Sequence, residues 1–210
     1  MQASAQKNTY ASTDAGTLKN FVYLCETIYA IKTKITKTIY MTFLELCEKR
    51  FSARKFTDEP VSKEDLDYIL RCTQLAPSAV NFQPWKFVIV ESEEAKGKLR
   101  QCYNREWFAT APMYIVAYKN KQQEWVRKYD QKPHGDVDVS IAVEHICMAA
   151  TDRGLGTCWV CAYKPEPLAE LFPQSEEWEA VAIVPIGHIA EDCPVGEKKR
   201  KDLSEIVERV

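Results

Sequence analysis

Residues 113–118 read MYIVAY, a run with almost no polar character. A short apolar run of this kind is the pattern of a buried strand. FVIV at 87–90, TCWVCAY at 157–163 and AVAIVPIG at 180–187 have the same character. The segments between them carry helix signals. Ser62 followed by Asp65, flanked by Val61 and Leu66, opens a helix with Leu66, Ile69, Leu70 and Thr73 inward, which must end before Pro77. Thr42 and Glu45 form a capping box, with Met41 and Leu46 placed as a hydrophobic staple. Asp138 is expected to cap a long helix with Val139, Ala142, Val143, Ile146, Ala149 and Ala150 inward, stopped at Arg153 by Gly154 and Leu155. Four strands separated by helices define a three-layer domain of α+β or α/β class.

With 210 residues and 46% hydrophobic content, the chain holds enough apolar material for a substantial core. Residues 1–40 carry five Lys against one Asp and one Glu, within a total charge of −2. That pattern is no nucleic-acid footprint. Residues 1–20 are polar and aperiodic, which is the composition of a disordered leader, whereas Phe21, Leu24, Ile28, Ile31 and Ile35 permit an amphipathic helix or, at the β-branched end, a strand. The first twenty residues lack a secretory h-region, and no stretch reaches bilayer-spanning length. Eight scattered cysteines then read as free thiols in a reducing cytoplasm. The expected division is an accessory leader over 1–40 and a folded domain over 41–210, with Met41 a possible natural start.

Three stretches hold polar residues that chemistry can use. RFSARKF follows the first helix and gathers Arg50, Ser52, Arg54 and Lys55; these either complement a helix end or bind an anion, since Arg forks match phosphate geometry. APSAVNFQPWKF, residues 76–87, is by composition either a surface turn or a ligand-binding loop. RGLGTCW contains Gly154 and Gly156, and Cys158 with Cys161 makes the one CxxC. No second CxxC or histidine pair completes a metal site, and no nucleophile triad or carboxylate pair stands out. EKKRK at 197–201 is by itself a solvated charge run. Trp125 and Tyr129 are expected to anchor a loop, His134 and Asp136 to start the long helix, and Asn120 to sit in a water-exposed turn.

Taken together, RFSARKF, APSAVNFQPWKFVIV, the APMYIV strand, RGLGTCW, VPIGH and the basic KKRK stand in the order and spacing of the FMN-dependent nitroreductase family, which residues 41–210 resemble. The resemblance implies an α+β, three-layer α-β-α fold with a mainly antiparallel central sheet flanked by helices, assembled as a homodimer with two interfacial sites. It assigns Arg50, Phe51, Ser52 and Arg54 to the FMN phosphate and ribityl chain, with Lys198 and Arg200 completing the phosphate site. It places Pro77, Ser78, Ala79, Asn81 and Gln83 against the flavin of the other subunit, and Gly156, Thr157 and Cys158 along the isoalloxazine edge.

The implied activity is NAD(P)H-dependent reduction of nitroaromatics, quinones or related small acceptors by ping-pong hydride transfer, with NADH or NADPH as donor. No protein nucleophile or base is required, because the flavin does the chemistry. Neither a nucleic acid nor a membrane is an expected partner. Two alternatives remain: reductive dehalogenation or flavin cleavage within the same family, and a non-catalytic flavin-binding redox sensor using Cys158 and Cys161.

Overall fold

The first described helix, α1 (Phe43–Lys49), begins directly after Thr42. The computed structural model describes residues 41–210, so the readings for 1–40 fall outside the described residues. Leu44–Val210 forms one compact unit. In chain order α2 (Lys63–Gln74), β1 (Trp85–Val90), α3 (Glu93–Cys102), β2 (Met113–Asn120), the hairpin β3 (Val126–Arg127) and β4 (Lys132–Pro133), α4 (Gly135–Asp152), β5 (Gly156–Thr157), α5 (Pro165–Leu171), β6 (Trp178–Gly187) and α6 (Leu203–Ile206) follow.

The main sheet has the order β1-β2-β6-β5, with every named pair antiparallel. A strand's side chains alternate between faces, so one run can serve two cores. On β2, Tyr114, Val116 and Tyr118 join Leu99, Cys102 and Leu168 of α3 and α5. Met113, Ile115 and Ala117 join Ile69 of α2 and Val139, Val143 and Ile146 of α4. The result is the expected α+β, three-layer arrangement.

Several local signals act as their chemistry dictates. Ser62 accepts from the Asp65 amide at 3.0 Å and starts α2. At the other end of α4, Gly154 adopts φ 76° while its amide donates to Thr151 (3.0 Å) and that of Leu155 donates to Ala150 (2.8 Å). These two bonds are a Schellman stop, and the left-handed residue it needs is most easily glycine.

Other expectations need correction. Asp138 does not cap α4: His134 stands at the N-cap, four residues earlier, and Glu124, from the loop between β2 and β3, accepts from the Gly135 amide at 2.9 Å. The strand expected over 157–163 shrinks to Gly156–Thr157, although Val160 still pairs with Ile183 in the same register. The gap falls where Cys158 would face Pro185, which has no N–H to give the ladder. Asn120 is no exposed turn residue; it is buried, and its side chain accepts from the amides of Gln122 (2.9 Å) and Gln123 (3.1 Å). Helices α3 and α5 and the β3–β4 hairpin were not anticipated.

Candidate functional site

The segment after α1 runs along the free edge of the main sheet. Ser52 bridges Thr157 in parallel, the Ala53 amide donates to the Thr157 carbonyl at 2.9 Å, and Phe56 bridges Ile189. Extended backbone alternates its side chains. Ala53 is fully buried and Phe51 packs on the core, while Arg50 and Ser52 stay partly exposed and Arg54 is exposed. Gly156 is required by this packing, because a Cβ there would meet Ile189 at 2.6 Å and Ala53 at 2.8 Å.

Charge at this edge is divided unevenly. Lys55 is neutralised by Asp192, and Lys199 pairs with Glu197 at 3.5 Å. Arg50, Arg54, Lys198 and Arg200 have no carboxylate partner among the described residues. Arg54 reaches the Ser52 carbonyl (3.4 Å) and stands 5.9 Å from the Trp107 ring centre. Lys198 donates to the carbonyl of Glu48 at the end of α1, and Arg200 donates to the Lys199 carbonyl. Cys158 is buried beside this group: burial pushes its thiol up, while Arg54, Ser52 and Arg50 pull it back. Thr157 is buried next to the Cys147 thiol, which burial pushes up to about 11.

The loop at 77–83 is a second, separate cluster. Val80, Asn81 and Gln83 all have positive φ, at 53°, 58° and 52°. Three non-glycine residues in that region within four positions mark stored strain, which clusters at functional sites. Ser78 accepts from the Gln83 amide at 2.9 Å, and the Gln83 side chain donates to the Asn81 side chain at 3.2 Å. Val80 and Phe82 remain 67% and 51% exposed. The loop therefore combines a strained, internally hydrogen-bonded backbone with exposed apolar side chains.

One chain does not bring the two clusters together. The loop leads into β1 at one edge of the sheet, and the Arg50–Arg54 segment lies outside β5 at the other. With strands ~4.8 Å apart, β1 and β5 alone stand about 14 Å apart. Pro77, Ser78, Ala79, Asn81 and Gln83 thus sit on one side of the molecule. Arg50, Phe51, Ser52, Arg54, Gly156, Thr157 and Cys158 collect on the other, where Lys198 is tied to the end of α1; the contact Arg200 makes is with the carbonyl of Lys199 beside it.

The hairpin region is organised as anchoring predicts for one aromatic but not the other. Trp125 packs edge-on against His134 at 4.8 Å, and Tyr129 is 85% exposed. His134 is the N-cap of α4, and Asp136 in its first turn pairs with Lys119 at 3.0 Å. Asp138 is the residue that sequence reasoning misplaced. It is 2% exposed, and its Oδ1 accepts from the Ala79 amide at 2.9 Å. Its spacing four before Ala142 and eight before Ile146 already put it on the inward stripe of α4.

Comparison with known proteins places this geometry. The nitroreductase family model matches residues 47–103 and 96–188, and the chain belongs to that family of oxidoreductases. A protein of Methanothermobacter thermautotrophicus named NADH dehydrogenase/NAD(P)H nitroreductase is 30% identical over 172 residues, 77% of this chain and 83% of its own. Iodotyrosine deiodinase 1 of Rattus norvegicus is 26% identical over 194 residues, covering 79% and 68%. Among solved structures, a nitroreductase family protein of Clostridium difficile 630 superposes with TM-score 0.75 at 33% identity, covering 80% of this chain and 98% of that one. A nitroreductase of Exiguobacterium sibiricum in complex with FMN shares the fold, with TM-score 0.72 and 21% identity over 81% and 98% of the two chains.

Proposed function

We propose that this protein is a homodimeric FMN oxidoreductase that uses NADH or NADPH to reduce nitroaromatics, quinones or related small acceptors. The observation that carries the reading is that Arg50 and Arg54 beside the β5 edge, Lys198 at the end of α1, and Arg200 two positions on have no carboxylate partner among the described residues. Their immediate neighbours Lys55 and Lys199 are neutralised internally. Positive charge left uncommitted in this way suits a phosphate dianion, and two guanidinium forks suit its geometry.

The chemistry supplied by bound FMN is hydride transfer from a nicotinamide donor to the acceptor. The chain's own work is binding and orientation. Arg50, Arg54, Lys198 and Arg200 would hold the phosphate, and Ser52 the ribityl chain. Gly156, Thr157 and Cys158 would run along the ring edge. From the partner, Pro77, Ser78, Ala79, Asn81 and Gln83 would close the far side; their position on the opposite sheet edge supports that division of labour.

Purified protein given FMN should be yellow and should bleach anaerobically with NADH or NADPH. In Arg54→Ala the fold should persist while FMN binding weakens roughly ten- to hundredfold, the value of one charge-assisted hydrogen bond. A folded parent that retains no FMN through dialysis would reject the reading. Equal retention in parent and Arg54→Ala would reject the phosphate assignment.

Reductive dehalogenation is a second reading, supported by the deiodinase relative. Turnover of iodotyrosine exceeding that of nitroaromatics by the same preparation would select it. The thiol-sensor reading has less support, because Cys158 is buried, Cys161 is exposed, and both are free. Steady turnover that survives thiol alkylation would remove it.

A further inference from the structure

A carboxylate on the inward stripe of α4 has to be held there by something. Asp138 is 2% exposed and shares its stripe with the fully buried Ala142 and Ile146. Its Oδ1 accepts from the Ala79 amide at 2.9 Å, while its Oδ2 is buried and has no hydrogen-bond partner among the described residues. Burying a carboxylate is costly unless it is well bonded, although the nearby start of α4 favours negative charge. Asp138 thus spends an expensive buried group on a single loop amide.

That amide belongs to the strained loop. Ala79 opens the tight turn Ala79–Asn81, which is followed by Gln83 in the left-handed region. Sparsely populated backbone states persist only where their surroundings over-determine them. Ser78 supplies one restraint within the loop through the Gln83 amide. Asp138 supplies the restraint from outside it, on a long helix fixed in the core.

We propose that Asp138 is a positioning residue: it holds residues 78–83 in one conformation, so that the Asn81 and Gln83 side chains are presented to the cofactor of the partner subunit. This inference rests on the flavin-facing role proposed for the loop. Its readout is separate from that role, because loop conformation is measurable without any cofactor.

Two variants remove the bond from opposite ends. Asp138→Leu deletes the acceptor. Ala79→Pro deletes the donor without touching α4, and it suits its place: Ser78 has φ −138° and ψ 161°, the extended state favoured before proline, and Ala79 is the first residue of its turn. In each, hydrogen exchange at the Asn81 and Gln83 amides should accelerate roughly tenfold or more while Ile146–Ala150 stays protected. FMN should bind roughly tenfold more weakly in either variant, with no further loss in the double variant. Asp138→Asn keeps an acceptor oxygen and should stay within about threefold of the parent.

Unchanged exchange in the loop would overturn the proposal, as would losses that simply add in the double variant. A loop released without any loss of FMN affinity would refute the positioning role. A parent that never binds FMN would refute the proposed function instead. Should Asp138→Leu fail to fold, Ala79→Pro carries the test alone.

Discussion

Asn81 shows how a backbone angle decides which substitution is informative. Its φ of 58° is tolerated by Asn and Gly, whereas Leu would add strain of its own. Asn81→Gly therefore deletes the amide cleanly and should cost FMN binding about 1–3 kcal/mol by leaving a polar edge of the cofactor unpaired. The exposed Asn104 is the suitable control. Asn104→Gly should shift FMN binding by less than about 0.5 kcal/mol in a dialysis titration. A second test at this scale concerns acid. The Ser62 hydroxyl, then Arg153, holds the Asp65 carboxyl below its ordinary 3.8. A depressed carboxylate stabilises the fold fully above the ordinary value, and that contribution is lost as pH falls through the folded one. Thermal scans should show parent above Asp65→Asn near neutral pH, the gap closing as pH drops below 3.8.

Elements were readable in the sequence where their determinants were local. Ser62 starts α2 with its own hydroxyl, and Gly154 stops α4 with its own φ, so both ends were visible from a few residues. Where a determinant came from elsewhere in the chain, reading failed. Pro185 interrupts β5 from the neighbouring strand, and Glu124, from another loop, accepts from the Gly135 amide at the start of α4. The inward face of α3 begins with Lys96, whose buried amine donates to the Pro112 carbonyl (3.1 Å) and pairs with Glu93 (2.6 Å). A lysine at a core position hides the helical period. The candidate site follows the same rule: the Arg50–Arg54 segment stands out as a candidate in the sequence, but the hydrogen bond from the Ala79 amide to Asp138 does not, because the two lie 59 positions apart. At the edge element, Gly156→Ala would drive a Cβ into Ile189 and Ala53. It should lower the urea unfolding free energy by about 1–3 kcal/mol and displace the Arg50–Arg54 segment with it.

For the whole molecule, the proposed site is completed only between chains, and mixing experiments address that directly. Combining Asn81→Gly chains with Arg54→Ala chains should restore one sound site per mixed dimer, since both defects then fall in the other. FMN binding no higher in the mixture than in the separate variants would reject the intersubunit site. A chain beginning at Met41 should keep the fold, because Leu44–Val210 forms its own compact unit. Circular dichroism and flavin retention on that shortened chain would check it.

If the two clusters on opposite edges of the sheet meet only between copies, as proposed, the consequence is one of concentration. A site assembled from two copies makes flavin loading follow mass action in protein as well as in cofactor. On dilution, turnover per chain should fall once protein drops below the dimer dissociation constant, and added FMN should restore it by pulling copies together. The yellow colour would then report self-association, and the amount of protein in a solution would set how active each molecule is.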